Sequence, residues 1–436
     1  MKVKFKDLFQ SLTARNYRIY FTGQGISLIG TWMQRITMGW YVYRLTNSPF
    51  LLGLVFFLSQ IPSVFISPFA GVWADKFHRL NIIKITQTTA LMQAMTLAIL
   101  VLTNNAQIWH IVVLSLLSGV IEAVDAPARQ AIVMELIERK SLLTNAIALN
   151  SAMFNGARLI GPSLAGIIIS LSNEGVCFLI NGLSYIAVII SLFLIRVPLR
   201  EQTEPVYSMF KKIKEGWRYS FSHLPIRYLV ANIAIISMFG MSYAVLMPIF
   251  ARDILKGTSQ TMGFLMSMAG VGALVGAFYL ASRKSIDGLS KKMVYALAAF
   301  SIALIIFSLS RSFTLSMGLM LIVGLGMMFQ MSTSNTILQT VVDDDMRGRV
   351  MSLHSMAFMS VTPFGSLLVG FMSKHLGAPI TLAICAWICL IWALYGITIQ
   401  NRFTNDVNKM IDKHTLEPFP LFSPANLTAQ VVEIND

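Results

Sequence analysis

The stretch GVWADKFHRL, residues 71–80, places a glycine, an aspartate and three basic side chains between two long apolar segments. Each flanking segment, 50–73 and 80–103, is long enough to cross a bilayer as a helix, which takes about 20 mostly apolar residues. A connection this short would join two neighbouring antiparallel spans. Whether the chain is a soluble or a membrane protein then depends on how often this pattern repeats.

Composition favours a membrane protein and excludes several other classes. Of the 436 residues, 55% are hydrophobic and only 12% are charged, whereas an ordinary soluble domain is about 25% charged. A polytopic membrane protein needs few charges because lipid surrounds most of its surface. The sequence contains no recognisable nucleotide-binding loop, nucleophile–base set or metal-ligand cluster, so we expect neither an enzyme nor a bound cofactor or metal.

Apolar segments of spanning length recur twelve times along the chain. They predict an all-α membrane protein with 12 transmembrane helices, whose two termini lie on the same side. The predicted spans cover residues 17–43, 50–73, 80–103, 108–134, 142–172, 175–196, 224–252, 260–282, 291–309, 314–340, 348–374 and 378–400.

The positions of Lys and Arg indicate which side faces the cytoplasm. With the N-terminus placed inside, the outer loops hold only five of the 34 Lys and Arg residues. Such a positive-inside bias predicts cytoplasmic termini and a multi-pass protein of the cytoplasmic (inner) membrane. Contact with anionic lipid then accounts for the net charge of +14, and no nucleic-acid partner is needed.

The sizeable gap after the sixth span divides the chain into two halves. We predict an N-terminal six-helix bundle over residues 1–196, a cytoplasmic linker over 197–223, a C-terminal six-helix bundle over 224–400 and a cytoplasmic tail over 401–436. Apolar residues at helical spacing in the linker indicate an amphipathic helix on the membrane surface, with a solvated basic linker as the alternative. These residues are Phe210, Ile213, Trp217 and Phe221.

The two halves are weakly similar to each other. Residues 136–166 align with residues 342–370, and the alignment places Gly166 on Gly370. Repeats of this kind are common in secondary transporters, where binding sites lie near the middle of the membrane between the repeats. We therefore expect any binding site at that depth.

Five charged side chains fall at membrane depth, where charge is costly and indicates function. All five lie in the first half: Arg35, Glu122, Asp125, Arg129 and Arg158. Glu122 is the first candidate for a proton-binding site and Asp125 the second, because a carboxylate that gains and loses arginine partners can bind and release a proton. Arg35 and Arg158 are the candidate counter-charges or substrate contacts. The alternative is a permanently ionised network that holds the spans together, and for Arg129 this structural role is favoured.

Polar residues share helix faces with these charges. Gln24 lies on the same face of span 1 as Arg35, and Asn155 lies on the same face of span 5 as Arg158. In span 4, an acid precedes an arginine by four residues, which is the favourable order for an ion pair along a helix. We expect these faces to line a cavity for substrate and proton.

Residues 71–80 resemble the loop between helices 2 and 3 of the major facilitator superfamily, whose signature is G-x-x-x-D-(R/K)-x-G-R-(R/K). The residues that match are Gly71, Asp75, Lys76 and Arg79. His78 stands where the family has glycine. The resemblance covers all twelve spans, and it implies that spans 1 and 4 line a central cavity while span 5 packs against the second half.

The same resemblance implies a conformational latch at this loop. Asp75 would pair with a charge at a neighbouring helix end and stabilise the outward-open state. Lys76 and Arg79 would add to the latch and contact the inner leaflet. We group Arg129 with this set because it lies near the same end of the helices.

A second resemblance lies in span 5. The segment GARLIGPSLAG, residues 156–166, is similar to the Gly-Pro motif of antiporters in this superfamily, although Ala165 stands where the motif usually has glycine. The residues that carry the likeness are Gly156, Gly161, Pro162 and Gly166. Glycines allow close helix approach, and the proline bends the helix. Residues 144–166 and 343–353 also resemble the branch that contains enterobactin exporters and macrolide-type drug:proton antiporters.

These features lead us to expect proton-coupled efflux, by antiport, of small amphipathic organic molecules of drug or siderophore type. The proton gradient would supply the energy, and the expected partners of the monomer are its substrate, protons and membrane lipid. One alternative is an importer that uses proton symport. A second alternative is a membrane sensor or scaffold that transports nothing.

Overall fold

A computed structural model describes residues 5–137, 139–196, 209–283 and 288–416, and these residues are helical with short connections. Most of the predicted linker, residues 197–208, and the end of the predicted tail, residues 417–436, lie outside them. The described part of the linker forms a helix, and the described part of the tail forms another.

A short 3-10 helix, Phe5–Thr13, precedes fourteen longer helices among the described residues, and a one-turn 3-10 helix, Lys140–Leu142, precedes the fifth of them. The helices of the first half are α1 Arg15–Thr46, α2 Pro49–Lys76, α3 Arg79–Leu102, α4 Ile108–Glu135, α5 Leu143–Leu171 and α6 Glu174–Leu194. The others are α7 Met209–Ser222, α8 Leu224–Ile254, α9 Ser259–Ala281, α10 Leu289–Leu309, α11 Phe313–Val341, α12 Asp344–Leu376, α13 Ala378–Thr398 and α14 Gln400–Leu416.

Eleven helices in the described part of the chain are long and apolar enough to cross a membrane, namely α2 to α6 and α8 to α13. They confirm an all-helical membrane fold. Helix α1 has 32 residues and is more polar than these eleven, but several of its polar side chains are buried inside the protein, away from lipid. These include Gln24, Ser27, Gln34 and Thr37. The predicted first span is therefore helical, and its place as a twelfth span stays a prediction.

Most predicted spans agree with the observed helices to within a few residues. The predicted and observed starts differ at α12: the helix begins at Asp344, whereas the predicted span begins at residue 348. Its first turn contains Asp344, Asp345 and Arg347, which are too polar to count as membrane-spanning. Helices can extend into water beyond the apolar segment, so hydropathy alone places such ends too late.

Packing within each half is more extensive than packing between the halves. In the first half, α1 packs against α5 and α6, α3 against α4 and α6, and α2 against α4. In the second half, α11 packs against α9 and α10, and α10 against α13. The main contacts across the halves are α2 against α12 and α5 against α9.

The halves are closed against each other at one end only. We call the end where α1 begins and α2 ends the basic end, and the other the far end. From the middle of the bundle to the far end, buried apolar residues of both halves form one cluster that includes Leu52 and Val369. Toward the basic end, the buried clusters are separate, with Ile132 in that of the first half and Val350 in that of the second.

Polar contacts add to the closure at the far end. Tyr43 at the end of α1 donates a hydrogen bond to Asp253 of α8. The neighbouring Arg252 donates to Asn47 at 2.8 Å and lies over the Tyr43 ring. The structure is therefore that of a molecule whose halves are joined at the far end and apart at the basic end.

Candidate functional site

A cavity of about 390 Å³ lies in the first half and runs from the middle of the bundle toward the basic end. Its walls come from α1, α3, α4, α5 and α6. Six of the residues singled out from the sequence line it: Gln24, Arg35, Glu122, Asp125, Arg129 and Asn155. The polar faces of three separate helices thus meet at one space, because each helix turns its polar stripe inward.

Arg35 and Glu122 form an ion pair across this cavity, between α1 and α4. The Arg35 Nη2 atom lies 3.0 Å from each carboxylate oxygen of Glu122. The two side chains are 42% and 50% exposed, so the pair faces the open cavity. An ion pair this accessible contributes only about 1 kcal/mol or less, and its partners can therefore change during a conformational cycle.

Asp125 lies in a different environment from Glu122. It is 1% exposed and forms an ion pair with Arg129, one helical turn further along α4. Two residues of α3 also donate to its Oδ1 atom, Thr86 at 2.6 Å and Gln87 at 3.0 Å. Neither donor was predicted from the sequence. Asp125 is held by more groups than Glu122 and joins α3 to α4.

Arg158 was predicted to be a counter-charge or a substrate contact, and in this conformation Glu122 pairs with Arg35 and not with Arg158. Its guanidinium lies 5.8 Å from the centre of the Trp32 ring and 3.6 Å from the sulfur of Met327 in the second half. The Arg35 guanidinium lies 5.0 Å from the same ring. Trp32, which the sequence analysis missed, therefore joins both arginines by cation–π contacts.

Hydrogen bonds hold some of the other amide groups near the cavity, whereas the buried Oε1 atom of Gln24 has no partner among the described residues. Asn155 donates to the Ser151 carbonyl at 2.9 Å, within α5. Deeper in the first half, Gln34 donates to Gln93 at 3.1 Å and accepts from Asn181 at 2.8 Å. This buried amide network links α1, α3 and α6, and we did not predict it.

Residues 71–80, predicted as a loop, are the end of α2, the connection Phe77–His78 and the start of α3. Arg79 makes the main polar contacts of this segment. Its guanidinium bonds Asp75 at 2.9 Å and Glu135 of α4 at 2.7 Å. The side chain of Arg79 is 7% exposed, whereas that of Asp75 is 65% exposed. The contact to a neighbouring helix end is therefore made by Arg79 through Glu135, which the sequence analysis missed.

The other members of the predicted latch have smaller roles in this conformation. A Cβ on Gly71 would meet nothing within 4 Å, so no close contact requires glycine there. The amine of Lys76 lies 5.9 Å from the centre of the Phe77 ring. Arg129, which we grouped with the loop, forms the ion pair with Asp125 that the spacing in span 4 predicted.

The Gly-Pro segment of α5 approaches both halves closely. A Cβ on Gly161 would lie 2.6 Å from the Cβ of Trp32 in α1, and one on Gly166 would lie 2.7 Å from the Ser259 carbonyl oxygen in α9. The carbonyl of Pro162 faces Gly263 of α9 at similarly short range. A Cβ on Gly156 would meet nothing within 4 Å. Gly161 therefore leaves room for Trp32 at the edge of the cavity.

Comparison with known proteins agrees with a transporter. The family model for a transmembrane secretion effector matches residues 8–426. A staphyloferrin A transporter of Staphylococcus aureus (strain NCTC 8325 / PS 47) is 25% identical over 385 residues, covering 87% of this chain and 96% of that protein. The multidrug efflux pump Tap of Mycolicibacterium fortuitum is 20% identical over 378 residues, covering 85% of this chain and 89% of the pump.

The fold is similar to that of solved transporters. A bacterial homologue of the human lysosomal transporter Spinster, in an inward-facing and unoccupied conformation, aligns with a TM-score of 0.68 at 14% identity. The alignment covers 90% of this chain and 98% of that one. An inward-facing bacterial homologue of the iron transporter ferroportin aligns with a TM-score of 0.66 at 15% identity, covering 90% and 98% respectively. At these identities, the likeness concerns the fold alone.

Proposed function

We propose that this chain, which belongs to the transmembrane secretion effector family of the major facilitator superfamily, exports small amphipathic organic molecules in exchange for protons. Its membership makes it a multi-pass transporter of the cytoplasmic membrane and not an enzyme. The observation that carries the proposal is the Arg35–Glu122 ion pair in the wall of an open cavity. The drug and siderophore transporters among its relatives suggest a substrate of either type.

The arrangement that we propose has twelve spans in two six-helix bundles, residues 1–196 and 224–400, joined by a cytoplasmic linker that includes α7. Both termini would lie in the cytoplasm, because the positive-inside bias assigns the basic end to that side. In this arrangement, the conformation described above is open to the cytoplasm and closed to the outside. An exporter would take up its substrate in this state.

Proton coupling would use Glu122. While the cavity faces the cytoplasm, Glu122 would stay bound to Arg35, as in the structure. When the cavity opens outward, a proton from outside would neutralise Glu122 and release Arg35, and the return step would carry this proton inward. Asp125 is the weaker candidate, since Thr86 and Gln87 already donate hydrogen bonds to it.

The loop at residues 71–80 would act when the basic end closes. Its Asp75 pairs with Arg79 in the present state but is largely exposed, so it could exchange this partner for a charge on the second half. Arg79 is already fixed against Glu135 and would hold the loop in position. The proposed latch thus consists of the exposed Asp75 beside Arg79, which Glu135 holds in place.

Transport by everted membrane vesicles tests direction and coupling together. We would offer 2-naphthoate, 2-naphthamide and 2-naphthylmethylamine, which share one aromatic body but differ in charge. Vesicles with an acidic interior are expected to accumulate at least one compound, more than vesicles from cells lacking the protein, and only while the gradient lasts. Accumulation in right-side-out vesicles instead would indicate an importer. Failure to move any of the compounds in either orientation would favour a sensor or scaffold.

A further inference from the structure

We propose that the substrate carries an anionic group and that the guanidinium of Arg158 binds it. This assignment of a substrate class rests on the export function proposed above. Arg158, half-buried beside the cavity, would then determine the specificity for charge. The proposal is based on the positive charge of Arg158, which no carboxylate among the described residues pairs with.

The charges around the cavity do not balance. Arg35 is paired with Glu122, and Arg129 is paired with Asp125. Among the described residues, no carboxylate forms an ion pair with Arg158, whose guanidinium contacts the weakly accepting sulfur of Met327. Because an unmatched charge at membrane depth is costly, an anion that binds there gains the interaction that the protein does not supply.

Movement of the second half cannot supply the missing carboxylate. Helices α9, α10, α11 and α13 contain no Asp or Glu. In α8, the acid is Asp253, which lies at the far end and accepts a hydrogen bond from Tyr43. The acids of α12, Asp344 and Asp345, lie in its first turn at the basic end. Arg158 therefore stays without an acid from the second half at its own depth.

The surroundings of Arg158 suit an organic acid better than a small inorganic anion. The ring of Phe154 meets the Trp32 ring edge-on, with 5.7 Å between ring centres, and Met327 adds an apolar surface from the second half. A guanidinium presents a planar set of donors that binds a carboxylate by two parallel hydrogen bonds. The chemical class is therefore an aromatic or otherwise apolar body that bears a carboxylate or a similar anion.

Binding of a matched acid and amide tests this assignment. The full-length protein in lipid nanodiscs would be titrated by calorimetry with 2-naphthoate and 2-naphthamide, which differ mainly in charge. Wild type is expected to bind the acid at least about tenfold more tightly than the amide, since a hydrogen bond to a charged group is strong. In Arg158→Gln, this ratio should fall to about one, and Arg158→Lys should retain part of it. Arg311→Gln, at an exposed far-end position, serves as the matched control and should leave the ratio unchanged.

The comparison of two ligands in two proteins is a double-mutant cycle, which isolates the contact between Arg158 and the anion. Equal affinity for acid and amide in folded wild type would overturn the assignment, as would a preference that survives in Arg158→Gln. Absence of binding by both compounds would overturn it as well. If Arg158→Gln does not fold, the weakened preference expected of Arg158→Lys decides the question.

Vesicle transport keeps this test separate from that of the export function. An acid preference that depends on Arg158, without gradient-driven movement of any compound, would refute export and leave the anion site standing. Export of the amine, with no preference for the acid in binding, would support export and refute the anion site.

Discussion

The close contact between α2 and α12 leads to a prediction about the closed far end. A Cβ on Gly370 would lie 2.8 Å from the Cα of Gly53 and 2.8 Å from the Pro49 carbonyl oxygen. Carbon atoms pack comfortably at about 3.5–4.0 Å, so Gly370→Val would push the two helices apart by roughly 1 Å. Overpacking of this kind costs about 1–3 kcal/mol. The cost disappears when the halves separate here, so the variant should populate the conformation that is open at the far end.

A free-energy shift of this size changes the ratio of the two conformations by about 5- to 150-fold. Pulsed EPR between spin labels at Asn105→Cys and Arg311→Cys would measure it, since both positions are exposed in far-end connections of different halves. The native cysteines are buried and should not react: Cys177, Cys385 and Cys389. Gly370→Val is expected to move the distance distribution toward longer values.

Gly318→Val provides the control for this experiment. It makes the same substitution within α11, where an added Cβ would meet nothing within 4 Å, and it should leave the distances as in wild type. If Gly370→Val folds and gives the same distribution as Gly318→Val, the far-end contact does not set the conformational equilibrium.

Three further predictions concern single side chains. Tyr43→Phe removes a hydrogen bond across the far end and should lengthen the same EPR distances less than Gly370→Val does; unchanged distances would make that bond irrelevant. Asp125→Asn removes the buried carboxylate that pairs with the partly exposed Arg129 and should cost about 1–3 kcal/mol, against about 1 kcal/mol or less for Glu122→Gln; equal losses in thermal unfolding would contradict this. Gly161→Ala should weaken 2-naphthoate binding several-fold by displacing Trp32, whereas Gly156→Ala should not.

Much of the fold could be predicted from the sequence because hydropathy and loop chemistry act locally. Segments of about 20 apolar residues can satisfy their backbone in lipid only as helices, and the loop at residues 71–80 marks where two of them turn. The polar character of α1 could be read directly from the sequence, but the partners of its polar side chains could not. Gln34, for example, bonds Gln93 and Asn181, and this contact depends on how three helices pack.

The features of the site that depend on spacing within a single helix could be predicted from the sequence. Helical spacing placed Asp125 next to Arg129, and polar stripes identified Arg35 and Glu122 as cavity residues. The partners on other helices were not predictable, since the register between helices is set by close packing and leaves no periodic signal. Trp32 is a partial exception: it lies three residues before Arg35 on the same face of α1 and could have been included with that stripe.

In the proposed mechanism, Glu122 couples export to the proton gradient without being needed for substrate movement itself. Proteoliposomes containing wild type or Glu122→Gln would be loaded with the compound that wild-type vesicles accumulate best. Gradient-driven accumulation and gradient-independent exchange of labelled for unlabelled compound would then be measured in parallel. We predict that Glu122→Gln loses accumulation and keeps exchange at a rate within a few-fold of wild type. Accumulation by Glu122→Gln at the wild-type level would contradict the account.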